Sequence, residues 1–170
     1  MNPVLQRWNR VPLAEAASEI LSCCGSKTWA LGLATRRPFA EEKSILLASD
    51  ETCRSLTEAD WREAFHSHPR IGESKAPLAA RPQSAAWSVE EQANVGSSEA
   101  QVKSALAEAN REYERRFKRI FIVSAAGKSA EEILSALRRR LSHDEATELR
   151  EAAEQQRQIT QIRLRKWMQA

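Results

Sequence analysis

At 170 residues the chain is long enough to bury one hydrophobic core and leaves little room for a second, so a single domain over 1–170 is expected. Its 42% hydrophobic and 29% charged residues exclude the apolar-poor composition of a disordered chain. A net charge of +3, interspersed along the chain, argues against the dense basic stripe with which nucleic-acid binders hold phosphates.

Helix-period patterning dominates. From Pro12 to Cys24, the residues Leu13, Ala16, Ala17, Ile20, Leu21 and Cys24 share one face, and Gly25 is placed to end the helix in a left-handed conformation. A short helix from about Lys27 follows, and Arg37-Pro38 should break it, because the residue before proline is pushed out of the helical region. Another helix begins near Ala40 and carries Ile45, Leu46, Ala48 and Cys53 inward. In Thr57 to His66, Trp61, Ala64, Phe65 and His68 stand at i, i+3, i+4 and i+7, and Pro69 forbids continuation. Gly72 to Trp87 holds Pro77 and Pro82 and little periodicity, which predicts a loop placed to cover a site.

Ser98 to Lys118 predicts a long helix with Val102, Ala105, Leu106, Ala109, Tyr113 and Phe117 inward. Phe121-Ile122-Val123 is a short β-branched apolar run without partner strands elsewhere, so buried extended backbone is expected there, closed by Gly127. Two helices finish the chain. One runs from Ser129 to Leu141 with Ile133, Leu134 and Leu137 inward; the other runs from Ser142 to about Gln169 with Ala146, Leu149, Ala153, Ile159 and Trp167 inward. Five reciprocal capping signatures are legible: Thr57 with Asp60, Ser88 with Glu91, Ser98 with Gln101, Ser129 with Glu132, and Ser142 with Glu145. The expected fold is therefore all-α, a single-domain multi-helix bundle with a short extended apolar segment near 121–124.

Cys23, Cys24 and Cys53 are odd in number and lack CxxC spacing, which suggests neither a disulfide framework nor a structural zinc site and fits a reducing cytoplasm. The first residues carry no charged region followed by an apolar core, and no stretch approaches membrane-spanning length, so neither a targeting signal nor a membrane association is expected.

Two of the three histidines lie together in His66-Ser67-His68-Pro69. The pair invites a metal reading, but zinc catalysis normally takes three protein ligands, and neither the lone His143 nor a nearby carboxylate obviously completes a set. His68 reads in two ways, as a core histidine satisfied by a carbonyl or as a general acid or base. The following proline, the helix end and the adjoining loop favour the second, because they fix the ring without sealing it. Ser88-Val89-Glu90-Glu91-Gln92 reads first as a capping box, whose helix N-terminus also presents N–H donors to a polar ligand. Arg163 shares a stripe with Ile159 and Trp167, and a buried arginine needs an acidic partner or an anionic ligand.

These residues together resemble the 2-oxo-4-hydroxy-4-carboxy-5-ureidoimidazoline (OHCU) decarboxylase family. The resemblance runs through Trp29, Arg37-Pro38-Phe39, Glu63-Ala64-Phe65, His68-Pro69-Arg70-Ile71-Gly72 and Ser88 with Glu91-Gln92. It continues through Asn110, Tyr113, Arg116 and Phe117, the Phe121-Ile122-Val123 run, and Ile159 with Arg163. Lys118 stands where the family usually has glycine. The resemblance implies His68 as the catalytic histidine, fixed by Pro69, and Glu91 as its catalytic companion. It implies that Ser88 and Gln92 hold the substrate's polar groups with Glu91, that the backbone of Phe121, Ile122, Val123, Ser124 and Ala125 lines the pocket, and that Arg163 contacts the substrate. It further implies stereoselective decarboxylation of OHCU to (S)-allantoin and CO2 in urate degradation, with no cofactor or metal, by a homodimer. The rival expectation is a non-catalytic helical interaction module presenting its tryptophans.

Overall fold

The structure is a computed structural model that describes residues 2–73, 75 and 77–170; Ser74 and Ala76, inside the expected loop, lie outside the described residues. Among the described residues there are ten helices and no strand: α1 (Pro3–Trp8), α2 (Leu13–Cys24), α3 (Lys27–Ala34), α4 (Glu42–Arg54), α5 (Glu58–Phe65), α6 (Pro82–Glu91), α7 (Ala93–Gly96), α8 (Ala100–Phe117), α9 (Ala130–Arg140) and α10 (Glu145–Trp167). None of the described helices is long and apolar enough to cross a membrane. The chain divides into two compact units, one of Met1–Ala64 with Arg157–Ala170 and one of Phe65–Gln156.

In the first unit α2 packs on α3 and α3 on α4. Gly25 ends α2 at φ 90°, a conformation that costs glycine nothing. Ser26 caps α3 by accepting from the Trp29 N–H. Leu5, Trp8, Ile20, Trp29, Leu33 and Ile45 are fully buried, and Trp8 meets Trp167 edge-on at 5.4 Å between ring centroids. Helix α1 was not expected, although Asn2 accepts from the Leu5 N–H and Pro3 sits in the first turn, the pairing of residues that starts a helix.

The second unit packs α8 on α9 around Leu106, Tyr113, Phe117, Phe121, Ile133 and Leu137. Residues 121–125 are buried, lie outside any helix or strand, and turn out at Gly127, as expected. Two of the five capping signatures form. Ser129 and Glu132 make a full capping box, and Asp60 and Thr57 bond reciprocally. The other three do not. Ser88 lies within α6; the Ser98 hydroxyl donates to the Val95 carbonyl; and the Ser142 hydroxyl donates to the Arg139 carbonyl while Asp144 takes the Thr147 N–H. The expected loop of 72–87 is also corrected, because Pro82 occupies the first turn of α6, where its missing N–H breaks no helical bond.

Lys118 ends α8 at φ 55°, the one non-glycine residue with positive φ among those described, and its N–H donates to the Glu114 carbonyl at 3.0 Å. A side chain there crowds the backbone in the left-handed region, where glycine would cost nothing. Lys118→Gly is expected to stabilise the protein by about 1 kcal/mol, seen as a higher urea midpoint at unchanged slope. A lower midpoint would show that the lysine side chain contributes more than its backbone costs.

Candidate active site

Directly after α5 the chain turns, the His68 N–H donating to the Phe65 carbonyl at 3.2 Å, and Pro69 prevents a further helical turn. His68 is 9% exposed, and its Nε2 lies 2.7 Å from Oε1 of the wholly buried Gln156, a residue of α10. The ring is thus gripped rather than sealed. With Pro69, Arg70, Pro77, Leu78 and Ile120 it lines a pocket of about 490 Å3, to which the exposed His66 also contributes.

The strand of loop after Pro69 is tied down at three points. Asn110 Nδ2 donates to the Ile71 carbonyl (3.0 Å), the Gly72 N–H donates to Gln92 Oε1 (3.0 Å), and Arg70 forks onto Glu114. Gly72 stands at φ 89°, so the turn needs a residue without Cβ. The Gln92 bond links this turn to the end of α6. Ser88, which is buried, and Gln92 line a second pocket of about 340 Å3, and Pro69 and Gly72 complete its wall from the other side. Pro69 therefore borders both pockets. Glu91, half-buried at the last position of α6, lines neither. The reading of Ser88 as a helix cap, with N–H donors aimed at a ligand, is corrected: α6 offers this site its C-terminal turn.

The segment 121–125 is held through its main chain. Arg140 Nη1 donates to the Ile122 carbonyl at 2.7 Å, the Ser124 N–H donates to Gln155 Oε1 at 2.9 Å, and Lys128 reaches the Ser124 carbonyl. Arg140 is itself buried over the Phe121 ring, 4.4 Å from its centroid, and forks onto Glu148 at 2.5 to 3.2 Å. Glu148 is fully buried and also accepts from the Tyr113 hydroxyl (2.5 Å) and lies 3.0 Å from His143 Nδ1. Burial and the carboxylate push the Tyr113 phenol well above its ordinary pKa, so it remains a donor. Each member of this buried set has a charged or polar partner, the condition on which such networks persist.

Arg163 belongs to the first unit, where it is fully buried and its Nη1 donates to the Ser22 carbonyl at 3.4 Å. Among the described residues no cluster of three His, Cys, Asp or Glu side chains is placed to hold a metal ion.

Gln155, Gln156, Arg140 and Glu148 were missed by sequence reasoning. On α10 the expected inward residue Ala146 is exposed, and Leu149 and Ala153 are only half-buried; the buried positions of the same stretch are Glu148, Ala152 and Gln156. Their four-residue spacing is the signal that was available. Polar residues along it read as a solvated face until partners from other helices are known.

A buried imidazole tied at one nitrogen to a neutral amide and bordering an open pocket is equipped to exchange a proton with a small ligand. The sequence profile of the OHCU decarboxylase family matches residues 9–165. A curated relative, the uric acid degradation bifunctional protein TTL of Arabidopsis thaliana, is 35% identical over 85% of this chain, which spans 44% of that protein's length. Among solved structures, an OHCU decarboxylase determined in the presence of (S)-allantoin is similar over 89% of this chain and 98% of its own, at 29% identity and a TM-score of 0.76. An (S)-allantoin synthase shares the fold at 17% identity and a TM-score of 0.71, over 96% of this chain and 53% of its own.

Proposed function

The chain belongs to the OHCU decarboxylase family, and from that premise we propose that it converts OHCU to (S)-allantoin and CO2 with its own side chains as the only catalytic groups. The observation that carries the reading is His68, buried and hydrogen-bonded, on a pocket whose Pro69 wall also borders the pocket of Ser88 and Gln92.

The chemistry suits such a site. The bond from the ring carbon to its carboxylate breaks, its electron pair passes into the adjoining ring C=N, CO2 leaves, the hydroxyl on that ring carbon becomes a carbonyl as its proton passes to the ring nitrogen, and a proton is delivered to the neighbouring ureido-bearing carbon. Because the substrate supplies its own electron sink, the protein has to orient the carboxylate, keep water from the carbanion and protonate one face. In this reading His68 moves the proton. Ser88 and Gln92 hold the ureido and ring groups, and the Phe121–Ala125 backbone lines the pocket.

Residues 1–170 act as one domain in this reading, which the family match across both compact units supports. Cytoplasmic placement is supported by the three buried free thiols. The homodimer implied by the family resemblance is tested by light scattering of the purified chain.

The reading is tested by generating OHCU in situ from urate and following circular dichroism. The expected result is a rapid single-signed signal of (S)-allantoin. Racemic allantoin at the spontaneous rate overturns the reading and leaves the helical interaction module in its place.

A further inference from the structure

We propose that Gln156 is a positioning residue that holds His68 as the Nε2–H tautomer and so places the ring's basic lone pair on Nδ1. The inference rests on the reading of His68 as the proton-transfer group.

Oε1 of Gln156 stands 2.7 Å from His68 Nε2, with Gln156 fully buried and the ring 9% exposed. An amide oxygen only accepts, so the ring nitrogen facing it carries the hydrogen, and the neutral ring then bears its lone pair at the other nitrogen. The amide is not placed by chance. Its neighbour Gln155 uses its own Oε1 on the Ser124 N–H at 2.9 Å, so one turn of α10 fixes both the imidazole and the extended segment. Two consecutive side chains of one rigid helix thereby tie together candidate-site parts 56 residues apart, from His68 to Ser124.

The choice of an amide over a carboxylate has a chemical consequence. Either group accepts from Nε2, but a carboxylate would favour the charged imidazolium, whereas the neutral amide orients the ring without that bias. An acceptor that fixes the tautomer of a catalytic histidine acts on turnover more than on binding.

The test uses the full chain with 15N-labelled histidine, together with Gln156→Leu and Gln156→Glu. In the wild type, NMR is expected to show His68 protonated at Nε2 and unprotonated at Nδ1. Gln156→Leu should mix the tautomers and lower kcat roughly tenfold or more while KM stays within about twofold. Gln156→Glu should keep the Nε2–H tautomer and move the ring's titration midpoint, and the matching limb of the pH profile, upward by about one unit or more.

A wild-type ring protonated at Nδ1 overturns the proposal, as does an unmoved pH profile in Gln156→Glu. If Gln156→Leu does not fold, the wild-type tautomer and the glutamate variant decide. The tautomer signal is read without substrate, so a protein that makes no (S)-allantoin ends the catalytic reading while the assignment of the hydrogen is still decided.

Discussion

His68→Asn folds, melts a few degrees below the wild type, and loses (S)-allantoin formation by roughly two to four orders of magnitude. The two halves of this expectation have separate causes. Asparagine is shorter than histidine, and its amide ends near the ring's Nδ1 position and short of Nε2, so the bond to Gln156 Oε1 is lost at a cost of about 1 to 3 kcal/mol, which leaves the fold standing. What asparagine cannot do is take up and release a proton near neutral pH, and a positioned proton carrier contributes a rate factor of this size. Product handedness is the sharper readout. With no group delivering the proton to one face, the allantoin that still forms should be racemic, because it comes from the uncatalysed reaction. Turnover within about tenfold of wild type, with (S)-allantoin still in excess, would remove His68 from the chemistry.

Glu148→Ala is expected to cost about 3 to 5 kcal/mol, the penalty for leaving a buried cation without its partner, which for a chain of this size lowers the melting temperature by roughly 10 °C. The carboxylate is fully buried and receives the Arg140 fork and the Tyr113 hydroxyl, with His143 Nδ1 beside it, so its loss strands Arg140 in the core of the second unit. Glu148→Gln should lose less, since a neutral acceptor remains for part of the network. Differential scanning calorimetry on both variants measures the difference. An alanine variant melting within about 2 °C of wild type would mean the cluster contributes little, with water or another carboxylate replacing the lost oxygens.

Most helix boundaries were legible where local rules decided them, α1 with its Asn2 cap and Pro3 being the exception. Gly25 after an apolar stripe, Pro69 after Phe65 and the Ser129–Glu132 box each act over a few residues, and each stands where the pattern put it. Errors arose where the same signals have two uses. Pro82 breaks a helix from within but starts one from the first turn, and Ser88 with Glu91 fits a cap as well as it fits a helix interior. The buried, non-helical character of the run from Phe121 to Val123 was legible from its branched apolar residues, while the side chains that fix it were not. Arg140 and Gln155 reach it from α9 and α10, and no spacing within either helix announces a partner that distant in sequence. The same holds for His68. Its confinement by Pro69 was readable, but its bond to Gln156, 88 positions away, exists only in three dimensions.

In the proposed function the 121–125 segment is a wall of peptide groups, which carries its recognition in polymer atoms that every residue shares. Since Arg140 and Gln155 grip the carbonyl of Ile122 and the N–H of Ser124, replacing the hydroxymethyl of Ser124 leaves that grip intact. Altering either gripping residue shifts the whole wall. The chemical identity of this surface is thus stored one layer away from where a ligand would meet it.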